Sequence, residues 1–344
     1  MFEINTYKKR FDANKVEVLE NGKFPYIVRT SLNNGSKGYI NENEEFLNDE
    51  NTISFGQDTA TMFYQEKPYF TGDKIKILKS KDNRFNKKNA QFFIMTMTKS
   101  FSSFSWGSSS FSVKIIENQK LSLPTRKGKI DFEFIENFIS ELEAENITKL
   151  EAYLVATGLK DYTLTVDEEK VLEDFENEKF NEFKVIDVFD VKNTKNILSR
   201  DIVENSGKTP YLCASRENNA ISSHISHNEE YLDKGNCIFI GGKTFVVSYQ
   251  EKDFYSNDSH NLVLYLKNEE EKSKLTQLYL ATCVNKSLGH KYSWGDSISN
   301  RKIQTDKVSL PVENKQPNYE IMETFISAIQ KLVIKDVVLY ADKK

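Results

Sequence analysis

The feature that most constrains the fold of this chain is an internal duplication that covers most of its 344 residues. Segments of the first half reappear in the second half in the same order, and the earlier ones do so at one constant spacing without a gap. Such an ordered series is typical of a chain built from two copies of one structural unit. The matched residues are 22–26 with 207–211, 33–34 with 218–219, 44–47 with 229–232, 64–67 with 249–252, 105–107 with 293–295, 121–124 with 308–311, and 138–140 with 325–327.

Each copy has the pattern of a β-rich module followed by a long helix. Three segments have the pattern of strands, namely 52–55, 74–78 and 261–266. Their apolar and polar residues alternate, or they are rich in β-branched and aromatic residues, and Gly, Asn and Asp lie at their borders. Residues 89–98 and 272–285 are apolar stretches without Gly or Pro, and they predict some helix inside each module. After each Leu-Pro pair, apolar residues recur at helical spacing.

The sequence therefore predicts an α+β fold with two tandem β-rich modules, each followed by a long helix. The first module is expected over residues 1–130 and the second over 184–316. A first spacer helix, at about 131–155, and an acidic linker fill residues 131–183, with a short acidic helix or tether at 167–176. A second spacer helix is expected over 317–344.

Composition and charge bound the classes of function. The chain is 38% hydrophobic and 28% charged, as in ordinary globular proteins, and its apolar runs are too short to cross a membrane. Three cysteines without close spacing, and a start without an apolar core, favour a cytoplasmic location. The net charge is −4, but residues 131–182 hold sixteen acidic and four basic residues, which leaves +8 on the rest of the chain. A basic remainder is compatible with DNA binding.

Motifs for catalysis or cofactor binding are weak. Residues 242–244 match the end of a phosphate-binding loop, but its leading glycine position is occupied by Cys237. His224 and His227 are spaced as metal ligands, yet no Cys or carboxylate cluster accompanies them. The proline-tyrosine motif with which methyltransferases hold a flipped base is absent from the sequence. We therefore expect no catalytic residue, metal or cofactor on this chain.

Several repeated motifs carry a family resemblance. The Gly-Lys-x-Pro-Tyr pair and residues 33–40, 55–60 and 70–73, closed by Leu-Pro and a long helix, resemble the DNA specificity subunits of type I restriction-modification systems. Residues 147–162 and 331–338 look closer still to the separate specificity subunit of type IIB systems, whose enzymes cut on both sides of their site. The second copy departs from the pattern: Ala220 replaces Gly35, and 223–224 replace the Gly-Tyr pair at 38–39.

The resemblance implies a division of labour. Two target-recognition domains would each read one half of a split, asymmetric site in double-stranded DNA. The two long helices would pack as an antiparallel coiled coil that serves as spacer and docking surface. Methylation and cleavage would belong to methyltransferase and nuclease subunits, which would carry S-adenosylmethionine and Mg²⁺, with ATP as a further candidate.

Two other functions remain open at this point. The chain could be a single-chain nuclease or methylase, which would cut or methylate DNA on its own. It could also be a repeat-built protein-binding module that does not bind DNA, and it would then not co-purify with a methyltransferase-nuclease encoded nearby.

Candidate DNA contacts are Lys, Arg, His and polar side chains, because such groups bind phosphates and base edges. The loop 108–110 is a further candidate, whereas Trp106 and Trp294 are expected in the module cores. In the first module the candidates are Asn33, Asn34, Ser36, Lys37, Gln57, Asp58, Lys81, Arg84, Lys87 and Lys88. In the second module they are Arg216, Asn218, Asn219, Lys243, Lys286, His290, Lys291, Arg301 and Lys302. The residues expected to mediate helix packing and partner assembly are Ile135, Phe138, Leu142, Leu150, Met322, Phe325, Ile329 and Val333.

Overall fold

The computed structural model of the chain describes residues 1–102 and 112–343, which divide into two compact units, Met1–Lys149 and Leu150–Lys344. Both units mix small sheets with helices. The elements that begin in the first unit are β1 (Phe2–Thr6), β2 (Pro25–Ile27), β3 (Ser36–Tyr39), β4 (Thr52–Gly56), β5 (Met62–Gln65), β6 (Phe70–Thr71), β7 (Ile75–Ser80), α1 (Lys87–Phe101), α2 (Val113–Glu117), β8 (Thr125–Arg126), β9 (Lys129–Ile130) and α3 (Phe132–Ala156). Those of the second unit are α4 (Val166–Asp174), β10 (Phe180–Lys184), α5 (Val185–Val188), β11 (Phe189–Asn193), β12 (Thr209–Leu212), β13 (Ile221–Ile225), β14 (Cys237–Gly241), β15 (Val246–Gln250), β16 (Tyr255–Ser256), β17 (Leu262–Leu266), α6 (Lys274–Leu288), α7 (Asn300–Ile303), β18 (Lys307–Glu313), β19 (Gln316–Pro317) and α8 (Tyr319–Asp342).

The two units repeat one sheet topology, which confirms the duplication. The larger sheet has the antiparallel order β1-β7-β4-β5 in the first unit and β11-β17-β14-β15 in the second. Even the register is shared, because Ile53 lies opposite Tyr64 and Ile238 lies opposite Tyr249. A smaller sheet has the order β3-β2-β6 or β13-β12-β16, with one parallel pair in each. In the second unit β10 also pairs with β18.

A helix covers the larger sheet of each unit, at the place where the sequence predicted some helix inside the module. The central strands β4 and β14 are buried along their whole length. In the first core Phe93 and Met97 of α1 cluster with residues of β4, and α6 has the same place in the second core. Both helices begin at a capping side chain: Asn86 Oδ1 accepts the Lys88 N–H at 2.8 Å, and Ser273 Oγ accepts the Thr276 N–H at 3.1 Å.

The repeated Gly-Lys-x-Pro-Tyr motif has a structural role. The Tyr26 hydroxyl donates to the Phe11 carbonyl at 2.7 Å, and the Tyr211 hydroxyl donates to the Ile197 carbonyl, also at 2.7 Å. Both phenol rings are buried, and burial raises the pKa of Tyr26 to about 12. In each module the tyrosine therefore ties an earlier loop to the smaller sheet, which explains why both copies retain it.

The long helices α3 and α8 agree with the predicted spacer helices, but their first turns do not form a free surface. Ile135 is fully buried in the core of the first unit, and Met322 is fully buried in that of the second. Phe325 stacks on Phe175 at a centroid distance of 4.2 Å. Ile135 and Met322 therefore cannot contact a partner, because the start of each helix packs against the module that precedes it. A role of the partly buried Phe325 in partner assembly stays a prediction.

The other predicted residues on the long helices are more accessible. Phe138 and Leu142 of α3 are exposed, Val333 of α8 is 72% exposed, and Ile329 is partly exposed. No helix among the described residues combines the length and apolar character that a membrane crossing requires.

The two long helices meet at their last turns. Leu154 of α3 forms a buried cluster with Val338 and Ala341 of α8, and Leu150 packs against the same cluster. This contact joins the C-terminal ends of the two helices, and the antiparallel coiled coil along the rest of their length stays a prediction.

The acidic segment forms a helix, α4, that runs antiparallel to α8. Lys160, which precedes α4, pairs with Asp342 at 3.6 Å, whereas Glu168 pairs with Lys331 at 2.8 Å, about three turns earlier in α8. Farther along the chain, Phe175 contacts Phe325. The segment that contains α4 and the helix α8 therefore run in opposite directions.

Glu168 fixes α4 to α8 through a buried carboxylate. Its oxygens accept hydrogen bonds from Ser327 Oγ at 2.6 Å, Lys331 Nζ at 2.8 Å and the Thr165 N–H at 2.7 Å. Burial opposes ionisation of the carboxyl, but these hydrogen bonds outweigh it and lower the pKa of Glu168 to about 2. The side chain is therefore ionised at neutral pH, and its partners compensate its burial.

One buried polar position has diverged between the copies in a way that affects stability. Asn48 Oδ1 accepts the Lys8 N–H at 3.1 Å, and its Nδ2 donates to the Tyr69 carbonyl at 3.0 Å. Asp233 holds the matching position and accepts the Lys195 N–H at 3.0 Å. A carboxylate cannot donate as the amide of Asn48 does, and burial raises the pKa of Asp233 to about 6.

We predict that Asp233→Asn stabilises the second unit at pH 7.5 by about 1–2 kcal/mol, a rise of a few degrees in melting temperature. Since folding raises the pKa of this carboxyl, the cost of its ionised form grows as pH rises from about 4 to 6 and is complete above that range. The gain should thus fall near pH 4.5 to about a third of its value at pH 7.5. Thermal unfolding of both proteins at the two pH values measures it, with Asn48→Asp as the matched control, which should destabilise at pH 7.5. An equal gain at both pH values would contradict the assignment.

Candidate nucleic-acid interface

A left-handed turn precedes β3 and β13 and contains four of the predicted DNA contacts. Asn33, Asn34 and Gly35 have φ angles of 48°, 54° and 79°. The matching residues 218–220 have φ angles of 47°, 52° and 67°. Ala220 thus adopts the left-handed backbone of Gly35 in spite of its Cβ, a conformation that costs an L-residue about 1 kcal/mol. Both modules therefore present the same turn.

The second asparagine of each turn is used within the module. Asn34 Nδ2 donates to the Tyr64 carbonyl at 3.0 Å, and Asn219 Nδ2 donates to the Tyr249 carbonyl at 3.0 Å. The following glutamines return a hydrogen bond to the turn, from Gln65 Nε2 to the Asn34 carbonyl at 3.2 Å and from Gln250 Nε2 to the Asn219 carbonyl at 3.0 Å. The turn is therefore fixed to the edge strand of the larger sheet.

The other turn residues differ in how far their side chains are engaged. Asn218 Nδ2 donates to the Ile221 carbonyl at 3.0 Å, and Ser36 Oγ donates to the Gly38 carbonyl at 3.0 Å. Asn33 and Lys37 are exposed. Within the described residues no side-chain hydrogen bond of these two is recorded, so their side chains are the ones most accessible to a ligand.

A cleft of about 550 Å³ adjoins this turn in the second module. A Cβ added to Gly35 would meet the Phe63 ring at 2.9 Å, whereas Ala220 coexists with Ser248 at the position that matches Phe63. The smaller residue admits the methyl group of Ala220. The polar side chains that line the cleft are Arg216, Asn219, Ser248, Thr282 and Asn285.

The cleft contains three polar residues that the sequence did not single out. Thr282 and Asn285 project from one face of α6 and Ser248 from β15. Their signal in the sequence is only the spacing of polar residues along a helix, which does not reveal the turn that the helix faces. Lys286, a predicted contact, follows Asn285 and is exposed.

Ion pairs balance the charges of a second group of predicted contacts. The Asp58 carboxylate pairs with Arg29 and with Lys74 Nζ at 2.9 Å. Gln57, the preceding residue, is half-buried and donates its N–H to the Lys74 carbonyl at 3.0 Å. Asp58 therefore cannot serve as an unpaired base-reading acceptor in this conformation.

The second module has a charge cluster of its own near the same hairpin. Lys243, which matches Asp58, pairs with Asp258 at 3.0 Å, and His260 Nδ1 lies 2.7 Å from the same carboxylate. Burial opposes ionisation of Asp258, but hydrogen bonds from His260 and Lys243 lower its pKa to about 2. A positive side chain thus stands where the first module has a negative one.

The predicted basic run of the first module is only partly available. Arg84 forms two hydrogen bonds with Asp82, at 2.9 and 2.6 Å, and its guanidinium lies over the Phe132 ring at 4.3 Å. Lys87 pairs with Glu66 at 2.7 Å. Lys81 and Lys88 are exposed, and no ion pair of theirs is recorded in the described part of the chain.

The structure brings four of the first module's candidates to two places on the β4–β5 hairpin. Lys87 forms an ion pair with Glu66, which directly follows β5. The turn that contains Asn34 is hydrogen-bonded to Tyr64 on the same strand. Gln57 and Asp58 lie in the loop between β4 and β5, near the start of β5.

The basic candidates near the end of the second module flank an exposed tryptophan in the sequence. Lys291 pairs with Asp306 at 3.2 Å, and Lys302 pairs with Asp296. His290 and Arg301 are exposed. Trp294 is 82% exposed, so the expectation that it lies in the core is wrong, because it occupies the apex of a surface turn. Trp106 and the loop 108–110 lie outside the described residues.

The two histidines with metal-ligand spacing have different surroundings. His224 is exposed on β13, whereas the ring of His227 packs against Tyr231 and Tyr255 at centroid distances of 5.5 and 6.0 Å. Among the described residues no group of three or more His, Cys, Asp or Glu is placed to hold a metal ion.

We predict that replacing both Lys81 and Lys88 with Gln lowers affinity for duplex DNA by a similar factor on every sequence. Two fewer phosphate contacts should reduce the slope of log affinity against log salt by roughly 2. Titrations of labelled duplexes over a range of salt concentrations measure both quantities, and Lys149→Gln on α3 serves as the control. An unchanged slope, or a loss confined to one sequence, would show that these lysines do not bind phosphate.

Comparison with known proteins gives a consistent picture. A family model described as the type I restriction modification DNA specificity domain matches residues 1–152 and again 177–339. The specificity subunit S.BcgI of a type II restriction enzyme from Heyndrickxia coagulans is 27% identical over 153 residues, which are 44% of this chain and 44% of the relative. The chain thus matches less than half of that relative's length. The S subunit of a type I restriction-modification system from M. genitalium has a similar fold, with a TM-score of 0.60 and 14% identity over 99% of this chain and 89% of the other.

Proposed function

Because this chain belongs to the family of type I restriction-modification DNA specificity domains, we propose that it is the DNA-reading subunit of a restriction-modification complex. In this proposal it binds double-stranded DNA at a split site in the cytoplasm and directs methyltransferase and nuclease subunits to that site. The chain itself performs neither methyl transfer nor cleavage. S-adenosylmethionine, Mg²⁺ and any ATP bind to the partner subunits.

The observation that carries the proposal is one module built twice with different polar surfaces. Both copies have the same sheet order and the same left-handed turn. They differ beside that turn, where the first has Phe63 and the second has Ser248 and a cleft lined by Arg216. Arg and Asn side chains are well suited to reading base edges. Two modules with different polar surfaces favour a DNA site whose two halves differ in sequence.

The exposed face of each long helix is proposed as a docking surface for the partner subunits. Phe138 and Leu142 on α3, and Val333 and Val337 on α8, remain exposed although they are large apolar residues. Contiguous exposed apolar residues on a helix mark a site of protein association. The family to which the chain belongs supports partners of the same restriction-modification system.

The main experiment exchanges the second module. Residues 180–317 should be replaced as one block by the matching segment of a relative, because β10 pairs with β18 and must move with it. We predict that the methylome of cells that carry the complete system then changes at one half-site and keeps the other. Exchange of residues 1–130 should change the opposite half. A single continuous site, or identical halves, would contradict two independent readers.

A second experiment tests where the chemistry resides. We predict that the isolated chain binds no S-adenosylmethionine in a calorimetric titration at micromolar concentrations, and that it leaves duplex DNA uncut and unmethylated. The complex with its methyltransferase-nuclease subunits is the positive control. Methyl transfer or cleavage by the isolated chain would favour a single-chain enzyme instead.

A further inference from the structure

The side chain of Trp294 is 82% exposed, although an indole gains more from burial than almost any other side chain. The fold of the second module does not use it as a core residue. Tryptophans of this kind are concentrated in binding surfaces, where a partner covers them.

The exposed indole sits on a closed and braced turn. The Ser293 N–H donates to the Asp296 carbonyl at 3.2 Å, and the Asp296 N–H donates to the Ser293 carbonyl at 3.1 Å. Trp294 and Gly295 form the apex between them. Lys302 pairs with Asp296 and donates to the Ser297 carbonyl at 2.7 Å. The turn is therefore held at its base while its apex extends into solvent.

The residues before the turn connect it to the cleft of the second module. The Tyr292 hydroxyl donates to the Asp306 carboxylate at 2.5 Å, and the Tyr292 ring stacks on Phe245 at 5.4 Å. Phe245 also lines the cleft that contains Arg216. Trp294 thus lies two residues from a side chain that packs against the wall of this cleft.

Both copies of the module keep the Ser-Trp-Gly sequence, at residues 105–107 and 293–295. Positions expected to read bases have diverged, as Asp58 and Lys243 illustrate. A residue that is kept in two modules of different specificity is suited to a feature that does not change with base sequence. The sugar-phosphate backbone and the faces of the base pairs are such features.

The charges beside the turn indicate the kind of partner. Residues 286–302 contain four Lys or Arg and one acidic residue, Asp296, which is already paired with Lys302. Exposed Lys286, His290 and Arg301 complement phosphates. An apolar group among cations suits DNA, whose charged backbone encloses apolar base faces.

We propose that Trp294 packs its indole against DNA as a sequence-tolerant contact that adds affinity to its half-site without reading it. This inference rests on the proposed DNA-binding function and assigns to it a contact independent of base sequence.

The first test measures affinity. Trp294→Ala should weaken binding to a duplex carrying the recognised site and to a random duplex by a similar factor, about 5- to 30-fold, and Trp294→Phe should recover most of the loss. Val166→Ala is the matched control, because Val166 is 80% exposed on the acidic helix α4. It should bind as the unmodified chain does.

The second test uses the indole as its own reporter. The chain has two tryptophans, so Trp106→Phe leaves Trp294 as the sole indole. Its emission should shift to shorter wavelength when duplex DNA is added, and acrylamide should quench it less. The unmodified chain, which keeps both indoles, should show the same direction of change.

The outcomes separate this inference from the proposed function. If the unmodified chain binds no duplex, both are overturned. If it binds while Trp294→Ala binds equally well, or while Trp294 stays open to acrylamide in the saturated complex, only the inference is overturned. A loss confined to the recognised site would make Trp294 a base reader instead. Shielding by the methyltransferase subunit without DNA would identify a protein contact and would also overturn the inference.

Discussion

Each module depends on an asparagine carboxamide that reaches from a left-handed turn to the main chain of the neighbouring edge strand. Asn34 and Asn219 make this hydrogen bond at the same distance, and the glutamine next along the strand returns a second one to the turn. These bonds hold the turn against the larger sheet, while the Val28 and Cys213 N–H groups donate to the carbonyls of residues 35 and 220 and hold it to the smaller sheet. Because the cleft of the second module adjoins this turn, the geometry of the cleft depends on these contacts.

The duplication separates the residues that hold a module together from those that make it different. The buried tyrosines at 26 and 211, the sheet register and the turn angles are the same in both copies. One pair of divergent positions is coupled: Ala220 is accompanied by Ser248, as Gly35 is by Phe63. A Cβ on the turn is tolerated where the facing ring is gone. These changes thus preserve the strands and the turn of the module while they alter the surface beside the turn.

The sequence predicted the framework more closely than the surface. The duplication, the helices inside the modules and the two long helices were correct to within a few residues, because they depend on periodicity and on the order of motifs along the chain. It did not reveal that Asn34 and Asn219 are engaged by the main chain, that Thr282 and Asn285 face a cleft, or that Trp294 is exposed. Those facts depend on which distant segment lies opposite each residue, and no local pattern records that. The misplaced helix residues, Ile135 and Met322, have the same cause, since an apolar stripe does not tell which partner covers it.

The boundary between the two compact units falls within a helix, between residues 149 and 150 of α3. A loop at this point would let the chain gain or lose residues with little change in direction. A helix does not, because each added residue advances the chain by about 1.5 Å and rotates the residues after it by about 100°. Length and angular phase are therefore coupled at this junction. Insertions or deletions close to whole turns, such as seven residues, nearly preserve the phase, whereas others turn the following residues of α3 to a different side of the helix axis. Variants of α3 that keep their function should accordingly differ in length by discrete steps.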